Sequence, residues 1–113
     1  MTGYKQGDVI LVPYPFGERA GGRKRAALVL SSDEYNQATG DLVIAQITSR
    51  APATARPGDY HIEEWKEANL PRPALVRSRL ATLKNSLVLR RLGALSDSDF
   101  QAALRALSGA VLG

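Results

Sequence analysis

A cationic segment led by two glycines runs directly into an apolar strand: Gly21-Gly22-Arg23-Lys24-Arg25-Ala26-Ala27-Leu28-Val29-Leu30-Ser31-Ser32. The glycines permit backbone conformations that other residues disfavour. Three consecutive cations follow them, and fixed positive charge beside a flexible backbone is suited to binding a phosphate. The segment therefore predicts an anion-binding loop or, alternatively, a solvated hairpin turn, followed in either case by a buried strand.

Two apolar, β-branched runs frame this segment. Residues 8–14 are stopped by prolines, which predicts a first strand ending near a sheet edge. Residues 42–48 predict another strand, and the unbroken apolar run at 26–30 predicts a strand covered on both faces. Between these strands we predict a loop at 15–24 and a short helical turn at 31–36.

The second half of the chain alternates short strands with turn residues. Strands are predicted at 60–62, 74–76 and 86–92, with a helical turn at 63–68 and a proline-rich loop at 50–58. A C-terminal amphipathic helix capped by Ser96 is predicted from apolar residues at helical spacing, namely Phe100, Ala103, Leu104, Leu107 and Val111. Together these elements predict a β-dominated α+β fold, a small and strongly bent antiparallel sheet or barrel with helical appendages.

Composition limits the classes of function. The 113 residues predict a single domain, 1–113, and a chain this small gains stability from dimerisation. There is no cysteine and one histidine, which excludes disulfides and cysteine-based or histidine-rich metal sites. No apolar run is long enough to span a bilayer, so we expect a cytoplasmic protein without membrane contact. The net charge of +4 favours a polyanionic partner, with nucleic acid as the leading candidate.

The sequence lacks a nucleotide-binding glycine motif and a nucleophile elbow, and we expect neither a cofactor nor a metal. Catalysis would then depend on Arg, Lys, Ser, Thr, Tyr, carboxylates and a single His. RNA cleavage fits this inventory because the substrate supplies its own nucleophile, the 2′-hydroxyl. The protein needs only to align that hydroxyl, move protons and stabilise negative charge at phosphorus.

Arg25 is the candidate for stabilising that charge, since a guanidinium offers a rigid fork of donors that matches phosphate oxygens. Thr48 ends an apolar strand, where its hydroxyl is placed to donate to the same phosphate. The alternative for Thr48 is an ordinary strand residue facing solvent.

Other candidates each carry an alternative. Arg77 and Arg79 share one face if their strand is regular, which indicates either an anion site or a solvated surface. Arg90 and Arg91 face opposite sides, so at least one of them is predicted to be structural. His61 is a candidate acid or base, or else a surface residue. Two aromatic residues are candidates for base stacking, or else for core or interface packing: Tyr60 and Trp65.

The order of these segments resembles the PemK/MazF family of toxin endoribonucleases. The resemblance is carried by residues 7–12, 21–31 and 44–49, with further likeness at 65–70, 80–83 and 92–96. It implies an SH3-like barrel, a homodimer whose groove binds single-stranded RNA, and metal-independent cleavage through a 2′,3′-cyclic phosphate. It also implies inhibition by a cognate antitoxin, with operator DNA bound only through the toxin–antitoxin complex.

On this resemblance the family's catalytic arginine and threonine fall on Arg25 and Thr48, the two positions that residue chemistry also selects. The candidate RNA-binding residues are Arg23, Lys24, Ser49, Arg77, Ser78 and Arg79.

The chain departs from the family pattern in two places. The residue after the loop arginine is commonly proline and is Ala26 here, and the Arg77-Ser78-Arg79 segment lacks an acidic residue. Two alternatives to the nuclease hypothesis therefore stay open. One is a noncatalytic nucleic-acid-binding module, and the other is a structural dimer whose basic loops bind an acidic antitoxin tail.

Overall fold

The computed structural model describes residues 3–14, 23–49 and 56–112. Its centre is a strongly curled antiparallel sheet in which the strands lie in the order β4-β5-β3-β2-β1-β6. The strands are β1 (Asp8–Tyr14), β2 (Arg23–Val29), β3 (Asp41–Thr48), β4 (Tyr60–His61), β5 (Leu75–Lys84) and β6 (Arg90–Ala94). The helices are α1 (Asp33–Thr39), a 3-10 helix (Asn85–Leu87) and α2 (Asp97–Leu112). This half-barrel with helical additions confirms the predicted β-dominated fold.

Each face of the sheet carries its own apolar core, because alternate strand residues point to opposite sides. In β2, Leu28 packs into one core, while Ala27 and Val29 pack into the other, and all three are fully buried. The prediction that this strand is covered on both faces is therefore confirmed. The core on the Leu28 face is closed by the apolar stripe of α2, contributed by Phe100, Ala103 and Leu107.

Both helices begin where the sequence predicts. The hydroxyl of Ser32 accepts a hydrogen bond from the Tyr35 backbone N–H and caps α1, which ends at Gly40 in the left-handed conformation with φ 76°. The hydroxyl of Ser96 accepts a bond of 3.1 Å from the Asp99 N–H and caps α2. Local capping chemistry was sufficient to place both N-termini.

Several element boundaries differ from the prediction. β2 begins at Arg23 and not at residue 26, because its first residues pair with the end of β1, Tyr14 opposite Arg23 and Val12 opposite Arg25. Arg23 and Lys24 therefore lie on a strand and not in a loop. Residues 86 and 87 belong to the 3-10 helix, and β6 starts only at Arg90, where it pairs with Leu11. Residues 15–22 and 50–55, which the predicted loops include, lie outside the described part of the chain.

β5 is a single irregular strand of ten residues that extends well past the strand predicted at 74–76. Ala45 of β3 lies opposite Leu80, but the next residue, Gln46, lies opposite Arg77. Two additional residues, Ser78 and Arg79, are thus accommodated on β5 at a bulge. Arg77 and Arg79 were predicted to share a face only if their strand is regular. Because the strand is irregular here, that condition is not met.

A short helical segment at 63–69 connects the sheet edge to the start of β5. The N–H of Leu70 donates to the carbonyl of Trp65, and the N–H of Asn69 donates to that of Lys66, with Asn69 at φ 67°. These two bonds and the left-handed residue are the features of a Schellman motif, which ends a helix abruptly. The predicted helical turn is confirmed as a hydrogen-bonded turn that closes at Asn69.

Candidate active site

Arg25 and Thr48 occupy corresponding positions on neighbouring strands. The pairing of β2 with β3 runs from Val29 opposite Ile44 to Ala27 opposite Gln46, and there it stops. Two residues further along each strand lie Arg25 and Thr48, at equivalent positions on the same face of the sheet. Arg25 remains fixed by its pairing with Val12 of β1. The two residues selected from the sequence thus meet where β2 and β3 separate.

A cavity of about 420 Å³ opens at this point. It has the volume of a small-ligand site, which typically ranges over about 300–1,000 Å³. Its lining comes from β1, β2, β6, the end of β3 and the segment after the 63–69 turn: Leu11, Lys24, Arg25, Ala26, Ile47, Thr48, Ser49, Asn69, Leu70, Pro71, Arg72, Ala74, Arg90 and Leu92. The structure therefore brings Arg25, Thr48, Lys24 and Ser49 together around one cavity.

The cavity combines an apolar wall with one sign of charge. Its charged lining residues are four cations, Lys24, Arg25, Arg72 and Arg90, and the described lining includes neither a carboxylate nor a histidine. Clustered like charges repel unless an anion neutralises them, and low-dielectric walls strengthen their field. The cavity is therefore electrostatically suited to a phosphate-containing ligand.

Arg77 is held elsewhere by an ion pair. Its guanidinium donates from Nε to Asp59 Oδ1 at 3.1 Å and from Nη2 to Asp59 Oδ2 at 2.9 Å. The hydrogen bond from Arg77 lowers the pKa of the Asp59 carboxyl, and the same bond raises the pKa of Arg77. Arg77, with its neighbours Ser78 and Arg79, is not among the residues that line the cavity. Their predicted contact with RNA stays a prediction, and the geometry gives Arg77 a structural role in fastening the residues before β4 to β5.

His61 and Arg23 lie at the margin of the site. His61 is exposed and faces a small void of about 30 Å³ that it shares with Thr48. Leu75 of β5 lies between His61 and Thr48 and pairs with each of them. The backbones of His61 and Thr48 are therefore separated by two strand spacings, roughly 10 Å. Arg23 is exposed at the start of β2, one residue before the lining begins.

Arg90 and Arg91 have different surroundings, as expected for consecutive residues of a strand. Arg91 donates from Nε to Asp8 Oδ1 of β1 at 3.1 Å, which gives it the structural role predicted for at least one of the two. Arg90 pairs in register with Leu11 and lines the cavity. The alternation of strand residues separates Arg90 from Arg91, but nothing local indicates which of the two faces the cavity.

Two further lining residues, Asn69 and Arg72, were not selected from the sequence. They reach the cavity because the 63–69 turn folds against β6, where Asn69 Nδ2 donates to the Leu92 carbonyl at 2.9 Å. This contact joins residues 23 positions apart, and no local pattern reports it. The sequence offers only a weak signal, an asparagine that precedes Leu-Pro and is tolerant of positive φ.

The aromatic candidates for base stacking serve the core. Tyr60 donates its hydroxyl to Asp99, and burial together with that carboxylate raises the pKa of Tyr60 well above its ordinary value. Trp65 packs against the core on the α2 side, and Lys66 Nζ lies 5.5 Å from its ring centroid. The interpretation of these residues as packing anchors is the one that the geometry supports.

The described residues, 3–14, 23–49 and 56–112, contain neither a metal-binding cluster nor a membrane-spanning helix. No group of three or more His, Asp or Glu residues in those ranges is placed to hold a metal ion. Within the same ranges, no helix has the length and apolar character to cross a membrane.

The fold and the site together define a curled antiparallel half-barrel with a cationic cavity at its strand ends. Residues 5–111 match the model of the PemK-like, MazF-like toxins of type II toxin–antitoxin systems. Because the match spans most of the sequence, the chain belongs to this toxin family, which confirms the resemblance drawn from the residues. A comparison with curated protein sequences gives no significant match.

Solved structures share the fold at low sequence identity. A mycobacterial endoribonuclease in complex with its cognate antitoxin superposes with a TM-score of 0.76 at 18% identity, covering 96% of this chain and 94% of its own. MazF from Deinococcus radiodurans gives a TM-score of 0.74 at 21% identity, with 97% of each chain covered. MazE–MazF from the same organism gives 0.73 at 21% identity, covering 97% of this chain and 95% of the other.

Proposed function

We propose that this toxin is a metal-independent endoribonuclease that cleaves single-stranded RNA. The observation that carries the proposal is the convergence of Arg25 and Thr48 on one cationic cavity. In the reaction, the 2′-hydroxyl oxygen bonds to the adjacent phosphorus and the bond from phosphorus to the 5′-oxygen breaks. The 2′-hydroxyl loses its proton, the departing 5′-oxygen gains one, and the products end in a 2′,3′-cyclic phosphate and a 5′-hydroxyl.

Arg25 stabilises the additional negative charge on the phosphoryl oxygens as phosphorus becomes five-coordinate. A guanidinium is charged at any relevant pH and presents a planar fork of donors. Its backbone is fixed by the β1–β2 ladder, so any reorganisation during the reaction is confined to the side chain. Such preorganised charge is commonly the largest single contribution to catalysis.

Thr48 supplies a hydroxyl to the same phosphate from the neighbouring strand. Its position across from Arg25 fixes the phosphate from two sides and aligns the attacking and departing oxygens. The described lining residues offer no carboxylate or imidazole as a general base. Alignment and charge stabilisation are accordingly the contributions that we assign to these two residues.

We further propose that the chain acts in the cytoplasm as a homodimer and is inhibited by a cognate antitoxin, with operator DNA bound only through that complex. Two of the structural relatives are complexes with an antitoxin or with MazE. Dimerisation would cover exposed apolar side chains, which among the described residues include Leu80, Leu87 and Leu89. An acidic antitoxin segment is complementary to the cationic cavity, and competition between it and RNA for the purified protein tests this assignment.

The decisive experiment is cleavage of single-stranded RNA in EDTA by wild type and Arg25→Ala, with end-group analysis of the products. We expect wild type to yield 2′,3′-cyclic phosphate ends and Arg25→Ala to be slower by about 10²–10³-fold, the loss typical of removing one transition-state donor. Arg105→Ala is the matched control, since Arg105 is exposed on α2. RNA binding without any product would instead establish the noncatalytic module, and equal rates for wild type and Arg25→Ala would remove Arg25 from the mechanism.

A further inference from the structure

Asn69 has a backbone position that glycine would occupy more easily. Its φ of 67° lies in the left-handed region, and it closes the Schellman motif at the end of the 63–69 turn. Glycine is the usual residue at such a position, and asparagine is the next most tolerant. An asparagine side chain here therefore needs a reason beyond the turn itself.

The orientation of the Asn69 amide is fixed by its partner. Asn69 Nδ2 donates to the carbonyl oxygen of Leu92 at 2.9 Å. A backbone carbonyl can only accept, so the NH₂ group must face Leu92 and Oδ1 must be the oxygen turned away from it. Asn69 and Leu92 both line the cationic cavity. The bond thus holds one acceptor oxygen in a defined direction at the cavity wall.

That acceptor differs from the other polar side chains around it. The four cations that line the cavity only donate hydrogen bonds, and the hydroxyls of Thr48 and Ser49 rotate to donate or accept. Among the described lining side chains, Asn69 Oδ1 is the one fixed acceptor. Phosphate oxygens have no use for an acceptor, whereas each nucleobase carries N–H groups at its own positions on the Watson–Crick edge, so a fixed acceptor can favour one base over another. Asn69 is thus matched to a base and the cations to phosphates.

We propose that Asn69 is a base-selecting residue of this toxin, accepting a hydrogen bond from one nucleobase of the RNA whose phosphate the cavity binds. Leu70 and Leu92 form the apolar wall against which that base lies. The inference rests on the proposed action on RNA. It adds the side chain that distinguishes one base from another at a single position of the cleaved sequence.

A purely structural role for Asn69 predicts a different outcome, because the bond to Leu92 also fastens the turn to β6. Three variants separate the two roles. Asn69→Gly removes the side chain and suits the positive φ, so the backbone is retained. Asn69→Asp keeps an acceptor but loses the donor to Leu92. Asn85→Gly is the matched control, since Asn85 Nδ2 donates to the Gly40 carbonyl at 2.8 Å and Asn85 does not line the cavity.

The experiment measures base preference in competition. Oligoribonucleotides that carry each of the four bases at every position around a wild-type cleavage site are mixed, and relative kcat/KM values are obtained from their rates of loss. These ratios do not depend on the fraction of enzyme that is folded. We expect Asn69→Gly to lose at least about threefold of the preference at one position, the discrimination of roughly one net hydrogen bond. Asn69→Asp, which keeps an acceptor that Leu92 no longer orients, should lose less of it, and Asn85→Gly should keep it.

The result that would overturn the proposal is an Asn69→Gly profile identical to wild type at every position. Equal loss of preference in Asn69→Gly and Asn69→Asp would also overturn it, because the bond to Leu92 and not the acceptor would then be responsible. If wild type cleaves no RNA, the proposed nuclease function fails separately. Competition binding with the same oligonucleotides carrying 2′-deoxyribose at the cleavage site then supplies the same ratios, and absence of any base preference in wild-type binding removes the role of Asn69 as well.

Discussion

At the scale of single residues, Asp99 connects two segments that are far apart in the sequence. Its carboxylate accepts hydrogen bonds from the Tyr60 hydroxyl and from the backbone N–H groups of Glu63 and Glu64, and the residue is 1% exposed. Burial opposes ionisation, but these bonds outweigh it and hold the pKa of Asp99 below its ordinary value. The carboxylate therefore caps the start of the 63–69 turn, which in turn carries Asn69 to the cavity.

Asp99→Asn is expected to lower the free energy of unfolding by about 2–4 kcal/mol at pH 7. The two N–H groups donate to different carboxylate oxygens, and an amide has an acceptor at only one of those positions, so a partly buried donor is left unpaired. Because the folded pKa is depressed, the stabilisation by Asp99 is fully present above the unfolded pKa of about 4 and is lost as pH falls through the folded value. The difference between wild type and Asp99→Asn should therefore shrink as the pH is lowered below about 4. Urea unfolding at pH 7, 5 and 3.5 measures it.

Asp97→Asn provides the control for this measurement. Asp97 lies in the same first turn of α2 but is exposed, so its replacement should cost less than about 1 kcal/mol through the helix dipole alone. A gap for Asp99→Asn that stays constant between pH 7 and pH 3.5 would contradict the assigned role of the ionised carboxylate.

Residue chemistry alone selected some of these side chains and not others. Arg25 and Thr48 were predictable because each lies where an apolar run ends, and strand ends are where polar groups emerge beside a sheet. The Arg77–Asp59 pair was not, because its partners are 18 positions apart and meet only through the register of β4 on β5. Asp99 was not selected either, because its position three residues after Ser96 indicates only a helix N-terminus, whereas its carboxylate accepts from the 63–69 turn.

At the scale of elements, the site depends on how closely β6 approaches the 63–69 turn. A Cβ atom built on Gly93 would lie 2.4 Å from the carbonyl oxygen of Ala68 and 3.1 Å from Cβ of Asn69. The distance to the Ala68 carbonyl oxygen is far inside van der Waals contact and that to Asn69 Cβ is tight, so only a residue without a side chain permits this packing. The approach is what places Asn69, Leu70 and Arg72 beside the strands.

Gly93→Ala is expected to destabilise the protein by about 2–4 kcal/mol, because the methyl group must displace backbone rather than a flexible side chain. It should also reduce RNA cleavage measured well below the unfolding temperature, since the displaced turn forms part of the cavity wall. Chemical denaturation and cleavage rates on the same preparations test both effects.

Gly109→Ala is the matched substitution, made on the exposed side of α2 where a new Cβ meets nothing within 4 Å. It should raise the free energy of unfolding by about 0.5–1 kcal/mol through helix propensity and leave cleavage unchanged. If Gly93→Ala behaved like Gly109→Ala, the close packing of β6 on the turn would not be required for either stability or the site.

Element types were more predictable than their ends. The apolar run at 86–92 reads as a strand, but strand pairing starts only where the chain meets Leu11, with Leu89 N–H donating to its carbonyl at 2.8 Å. Similarly, residues 74–84 read as separate pieces because the two-residue bulge at Ser78 and Arg79 interrupts the alternation. Both features are set by partner strands, which periodicity within one segment does not report.

At the scale of the whole molecule, the curled sheet places the cationic cavity at the edge of one of its two cores. Its two cores occupy opposite faces, and α2 closes one of them while the cavity opens at the ends of β2 and β3. The ion pairs Arg77–Asp59 and Arg91–Asp8 engage two of the cations, whereas the cavity gathers four others without an acidic neighbour in its described lining. Four of the 15 Lys and Arg residues of the chain thus lie together at the proposed RNA site.

This arrangement predicts a definite salt dependence for RNA binding. If each of the four lining cations meets one phosphate, log K should fall with log[salt] at a slope of about −3 for one cavity, from roughly 0.7 per phosphate contact on single strands. Arg90→Ala should make the slope shallower by about 0.7, and the exposed Arg105→Ala on α2 should leave it nearly unchanged. Binding of a short oligonucleotide with 2′-deoxyribose at the cleavage site, titrated between about 50 and 200 mM salt, gives these slopes. A wild-type slope near zero, or an equal change of slope in both variants, would show that RNA binding does not use the cavity cations. If those cations bind the phosphates, removing one of them must weaken RNA binding and its salt dependence more than removing a cation outside the cavity.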